Sequence, residues 1–179
     1  YTGSAFFCAI VGGWLADRFL GQRRAVVLGM LLMMAGHVAL GLDQPVGLAL
    51  GLLAVGTGLF KPTTTAMVGA LYAPDDARRQ GGYTVFYMGI NIGAALSALI
   101  GGYLAQHHGW GYGFMAAAVG MAIGVVVFMA GWRWLPPVAA PAPEPARAAW
   151  SDAQSRRRIQ VILLMSLVAI CFYLGYEQA

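Results

Sequence analysis

Lys61 and Pro62 lie in GTGLFKPTTT, residues 56–65, in the middle of a long apolar run. Lys61 is about 15 residues, or roughly 22 Å of helix, into that run. A charge at the centre of a bilayer costs at least ~2.5–3.5 kcal/mol. The ammonium therefore has to face a bundle interior or a watery cavity and meet an anion there. One acidic residue, Glu177, also falls inside an apolar run; Asp17, Asp43, Asp75, Asp76, Glu144 and Asp152 fall in loops, at helix ends or in a linker. Glu177 is thus the expected partner of Lys61, or the two share a ligand. A purely structural ion pair is the alternative, and a buried pair adds little net stability. The chemistry on offer is anion binding by an amine, with a carboxylate that can exchange a proton.

Other polar groups gather around this pair. Pro62 removes one helical hydrogen bond and favours a bend, and Thr63, Thr64 and Thr65 can offer hydroxyls to freed carbonyls. Asn91 lies mid-run, with Tyr83 and Tyr87 at four-residue steps before it, so the three make a stripe of polar tips. An amide in the membrane needs a partner, either a neighbouring helix or peptide-like groups of a ligand. His37 reads as a packed, hydrogen-bonded helix residue, and His107 and His108 as a loop. Asp17, Arg18, Gly21, Arg23 and Arg24 form a compact charged turn. It is either a solvated loop or a lock in which Asp17 sits near a neighbouring helix N-terminus. Cys8 and Cys171 lie far apart in apolar stretches and read as small packing residues. No nucleophile–base set, metal cluster or phosphate loop is visible, so an enzyme, a metal site, a cofactor and a nucleic-acid partner are not expected.

These residues need a membrane scaffold. The chain has 179 residues, 59% hydrophobic and 10% charged, against roughly a quarter charged in soluble proteins. A spanning helix needs about 20 mostly apolar residues. Six runs qualify: 1–16, 25–42, 46–72, 82–106, 111–135 and 159–179. No barrel-like alternation is seen, so helices must do the spanning. Ten of the eleven Lys and Arg follow runs one, three and five, and the loops near Asp43 and His107 carry none. That alternation predicts one crossing per run with the basic loops in the cytoplasm. Residues 136–155 hold five of the eight prolines and read as a semi-extended cytoplasmic linker between a bundle, 1–135, and the first helix of another, 156–179. GGWLADR at 12–18 resembles GGYLAQH at 101–107, with the two at opposite faces, which suggests inverted repeats. Gly47/Gly51, Gly89/Gly93 and Gly120/Gly124 promise close helix packing. The chain opens on Tyr1 and stops mid-run, and is read as an internal fragment.

GGWLADRFLGQRR at 12–24 resembles the loop motif of the major facilitator superfamily. The stretch 56–94, ending in FYMGINIGA, is similar to the proton-dependent oligopeptide transporters within it, as is YEQ at 176–178. The resemblance implies an all-α membrane bundle in which about helices two to seven are visible. It further implies that Lys61 binds the peptide carboxylate or pairs with Glu177, and that Asn91 contacts the peptide backbone. Tyr87 and Phe6 join the expected substrate site, with Asp17, Arg18, Gly21 and Arg24 as the conformational loop motif. Phe6 stands where the family often has a tyrosine, and Ala95 where a bulkier residue is usual. The family's helix-one motif, Glu-x-x-Glu-Arg, which is tied to proton coupling, is not seen because the visible chain starts too late to include it. The implied function is proton-coupled import of di- and tripeptides by a monomer in the cell membrane, with the proton as coupling ion. Another facilitator (nitrate, drug or sugar) or a non-transporting scaffold or sensor are the rivals.

Overall fold

The computed structural model describes residues 2–73 and 75–135, with side chains from Phe7 onward. The chain separates into two compact units, Tyr1–Ala140 and Pro141–Ala179, and the described residues belong to the first. Five helices make it up: α1 (Thr2–Leu15), α2 (Gln22–Gly41), α3 (Val46–Ala70), α4 (Arg78–His108) and α5 (Trp110–Gly131). A π-helical turn, Ala16–Leu20, prolongs α1, and a 3₁₀ turn, Trp132–Trp134, prolongs α5. No strand occurs among the described residues. By length and composition α2, α3, α4 and the stretch Trp110–Trp134 are each able to cross a membrane.

The first five sequence segments hold, with shifted ends; the sixth, 159–179, and the linker, 136–155, lie outside the described residues. α4 begins at Arg78 rather than 82 and runs through His107 and His108, so those histidines form its last turn rather than a loop. The helix stops at Gly109, whose φ of 105° is one that L side chains rarely adopt. Asp17 and Arg18 likewise lie in the π-helical turn, not in an open loop, and the chain breaks only at Gly21, φ 73°.

α3 is the central element. It packs on α2 and α1, and at one end on α4; α2 also packs on α5, and α5 on α4. Ala16, Ala25 and Leu59 form one buried cluster where α1, α2 and α3 meet. Val26, Met30 and Met67 form a second, covered by Phe60, Val125 and Phe128.

Close approach is made by glycines facing each other across helices. A methyl built on Gly12 would lie 2.5 Å from the Gly58 carbonyl oxygen, and one on Gly58 would meet the Cys8 backbone at the same distance. Gly29 and Gly56 oppose each other in the same way between α2 and α3, as do Gly41 and Gly111 between α2 and α5. The stripes expected to pack do not do so among the described residues: Gly47, Gly51, Gly89, Gly93 and Gly120 meet nothing there within 4 Å, and Gly124 only touches Met30. Spacing within one helix marks a smooth face but says nothing of which face the neighbour takes.

Pro62 adds a further constraint. Its missing N–H would have bonded the carbonyl four residues back, that of Gly58. The threonine hydroxyls do not take that carbonyl. Thr64 donates to Phe60 at 2.8 Å and Thr65 to Lys61 at 3.0 Å, while the Thr63 hydroxyl is buried without a partner. The Gly58 carbonyl is instead the group laid against Gly12. α3 continues through Pro62 without a break.

This contact predicts the effect of adding one methyl group. Gly58→Ala or Gly12→Ala in the full-length protein should lower thermal stability by about 1–3 kcal/mol, the usual cost of overpacking a tight site. Gly51→Ala, in open space, should leave the unfolding midpoint within error. Equal midpoints for all three variants would show that the helices do not cross where described.

Candidate functional site

The polar residues of the site come from α3 and α4. Lys61 is exposed, and among the described residues it makes no ion pair; the one such pair is Arg78–Asp76 at 3.0 Å. The expected partner, Glu177, lies outside the described residues, as does the side chain of Phe6. Lys61 is three residues past Gly58, so its side chain sits about 60° around the helix from the α1 contact. Phe60 and Gly56, which face α2, lie towards the other side. The ammonium thus projects past the edge of α1, away from the packed α2 face.

α4 holds Tyr83, Tyr87 and Asn91. Its base is fixed on α3, because methyls built on Gly69 and Gly82 would collide with the rings of Tyr83 and Tyr72 respectively. These two contacts run antiparallel. Lys61 lies eight residues before Gly69, and Asn91 eight residues after Tyr83. Each is therefore about 12 Å of helix above the same contact, at one depth. No hydrogen bond among the described residues joins Lys61 to Asn91, Tyr83 or Tyr87. Asn91 is exposed and Tyr87 is 53% exposed. No residue of α4 is buried; Tyr83 lies against Gly69 of α3, whereas Tyr87 and Asn91 are exposed among the described residues.

Below this level, an open cleft of about 340 Å³ is lined by Asp76, Ala77, Arg79, Gln80 and Tyr83. Asp76 accepts from the Arg78 guanidinium at 3.0 and 3.1 Å and from its backbone N–H at 2.8 Å. These bonds, the side-chain ones first, hold the Asp76 carboxyl below its usual range. Arg79 is tucked against Gly69 with its Nε buried and unpartnered.

The charged turn divides its work. Asp17 accepts from Gln22 Nε2, 3.3 Å away, in the first turn of α2. Arg18 lies over the Phe19 ring at 5.9 Å, and Arg24 is exposed. Arg23 reaches across to α5, where it donates to the Leu135 carbonyl and stacks over Trp132 at 5.6 Å. This tie was not expected from sequence. Its only trace there is a run of arginines and a Trp-Arg-Trp at two segment ends. His37 is half-buried as expected, but its Nδ1 is buried without a partner rather than hydrogen-bonded. Among the described residues no group of three or more His, Cys, Asp or Glu could hold a metal.

Comparison with known proteins places this arrangement. Residues 23–149 match the family described as PTR2, the POT family. The chain is 43% identical over 133 residues to a peptide transporter, YePEPT, of Yersinia enterocolitica, a match over 72% of this chain and 26% of the relative. It is 37% identical to a di-/tripeptide transporter of Lactococcus lactis subsp. lactis over 99% of this chain and 36% of the relative. The crystal structure of a peptide transporter POT in complex with sulfate superposes with a TM-score of 0.73 at 37% identity, covering 98% of this chain and 35% of that one. The chain thus spans about a quarter to a third of the length of the relatives it matches. These neighbours are transporters of the major facilitator type, which is the fold read from the sequence.

The base of α3 and α4 yields a double-mutant test. Gly69→Ala in the full-length protein should displace the Tyr83 hydroxyl and lower the unfolding midpoint. Tyr83→Phe removes the obstructing oxygen, so the double variant should recover part of the loss, with a coupling of about 0.5–3 kcal/mol. Strict additivity of the two changes would show that the residues do not touch.

Proposed function

The chain belongs to the POT family, and from that premise we propose that the protein is a proton-coupled symporter that imports di- and tripeptides by alternating access. The observation that carries this reading is Lys61. It is a cation deep in a spanning helix, free of ion pairs among the described residues, at the depth of Asn91, where Asn91 and Tyr87 of α4 are exposed. A small peptide is a zwitterion, and its carboxylate suits an ammonium in a site of reduced dielectric, where such a contact is stronger than in water. The relatives named as peptide and di-/tripeptide transporters support the substrate class. So do structures of POT family transporters with a thioalcohol-conjugated peptide and with 5-aminolevulinic acid.

In this reading Glu177 neutralises Lys61 when the site is empty. Protonation of Glu177 releases Lys61 to the substrate carboxylate, and both events bias the bundles between outward and inward arrangements. Asn91 and Tyr87 hydrogen-bond the peptide backbone, and Phe6 offers a ring without the hydroxyl that relatives often have there. The basic loops face the cytoplasm, the residues from 156 open the second bundle, and the protein works as a monomer in the cell membrane. The turn containing Asp17, Arg18, Gly21 and Arg24 holds one face closed in part of the cycle.

The decisive experiment is dipeptide uptake by the full-length protein in liposomes, with and without an inward proton gradient. Driven uptake should be abolished in Lys61→Ala, and excess Ala-Ala should compete with the labelled substrate. Glu177→Gln should impair driven uptake more than counterflow exchange. Normal driven uptake by Lys61→Ala would remove the centre of the scheme. Failure of Ala-Ala to compete, with transport of nitrate, a drug or a sugar instead, would assign another substrate class.

A further inference from the structure

At the end of the bundle that carries the basic loops, several arginines have no acidic partner among the described residues. Arg23 is committed to the Leu135 carbonyl and the Trp132 ring, and this ties the start of α2 to the end of α5. The two arginines that flank this tie are not committed in that way. Arg24 and Arg133 are exposed, and neither makes an ion pair among the described residues. Arg133 lies over Trp134 at 5.0 Å, and that indole is 74% exposed. No acidic residue occurs in the first turn of α2 or in Trp132–Trp134. The acid nearest to Arg24 in sequence, Asp17, accepts from Gln22, and the one nearest to Arg133, Glu144, lies outside the described residues.

Beneath these charges the outer faces of both helices are apolar and bare. Leu28 and Leu31 follow Arg24 at steps of four and seven residues, and Val126 and Val127 precede Arg133 and Trp134 by seven. At the helical period each set shares a face with its charge. All four are exposed. Cations above an uncovered hydrocarbon face, with an indole at the boundary where membrane interfaces favour one, match an amphiphile in both its parts. A soluble anion would use only the arginines.

We propose that the paired ends of α2 and α5 form a binding site for an anionic phospholipid. Arg24 and Arg133 take its phosphate, Trp134 packs at the level of the glycerol, and an acyl chain lies along the exposed Leu and Val columns. Arg23 is a positioning residue that holds the two helix ends together. The site shares Arg24 with the turn assigned above to closing one face, so its test reads unfolding and lipid retention rather than transport, and a failure of either idea leaves the other standing.

The test uses the full-length protein in nanodiscs of phosphatidylcholine with rising phosphatidylglycerol. Phosphatidylglycerol should raise the unfolding midpoint and be retained in the lipid measured by mass spectrometry after delipidation. Each arginine removed should weaken retention about fivefold, as expected for one cation at an anionic surface. R24Q/R133Q should therefore lose most of the rise while unfolding like the parent in pure phosphatidylcholine. R78Q, at the distant Asp76 pair, should keep the rise. W134F should lower quenching of tryptophan emission by brominated phosphatidylglycerol more than quenching by its phosphatidylcholine counterpart. The proposal is overturned if R24Q/R133Q responds as the parent does. It is equally overturned if glycerol phosphate or inorganic phosphate alone reproduces the rise, which would make this a soluble-anion site. If the double variant does not fold, the single variant R133Q and the W134F quenching difference decide by the same criteria.

Discussion

The contact on which the described bundle depends is between a carbonyl and a glycine. Pro62 leaves the Gly58 carbonyl without its helical donor, and Gly12 of α1 is laid against that carbonyl. A residue with any side chain at position 12 would hold the helices apart and leave the oxygen facing hydrocarbon, where an unsatisfied carbonyl is costly. With glycine, the α1 backbone itself closes the gap, and its Cα–H groups are the weak donors available at such helix crossings. The proline and the two glycines therefore act as one unit, and Lys61 lies between them in the chain.

From that crossing follows the division of the bundle into a fixed part and an open part. α3 is held by α1 at Gly58, by α2 at Gly56 and by α4 at Gly69, so its backbone has little freedom on those sides. α4 is held at its base by Tyr72 and Tyr83 and near its far end by the approach of Gly101 to Gly113. Between these it buries nothing. Tyr87 and Asn91 sit in the unheld stretch and Lys61 on the held one. On the proposed reading, a cation on a held helix and polar groups on a less held one would receive guests of different side-chain size without losing the charge contact.

Much of this was legible in sequence because charge in oil is rare. One lysine in a run of 25 apolar and small residues, and arginines confined to alternate loops, fix the class, the segments and the candidate cation with no structure at all. FYMGINIGA marks α4 by a different route, resemblance to the family. What sequence could not yield was pairing. The glycines that look like packing motifs, Gly89/Gly93 and Gly120/Gly124, lie almost bare, whereas Gly12 and Gly58, in no shared pattern, meet. Helix ends were misplaced where the cue was hydropathy alone: His107 and His108 are polar but helical, because Gly109 rather than polarity ends α4. The threonines after Pro62 were expected to serve its freed carbonyl, and they serve others. The offset of four from Pro62 to Gly58 was the available signal, and it becomes readable only once a second helix is known to arrive there.

The way Lys61 is held bears on what it can do. A buried ion pair that also supports the fold cannot be broken without a large loss of stability, since the remaining charge is stranded. In the described bundle, α3 is positioned by backbone contacts and by the Phe60 and Leu59 clusters, none of which involves the ammonium. The fold therefore does not fix the partner of Lys61. On the proposed reading, a carboxylate from the protein and one from a ligand would take turns at it, each at the small energetic difference between two similar salt contacts. A transporter needs that near-equality, because a partner bound too tightly in either state would stop the cycle. On that reading the expense of keeping a cation in the membrane would be met by whichever anion is present, while the glycine crossing holds the lysine's helix in place.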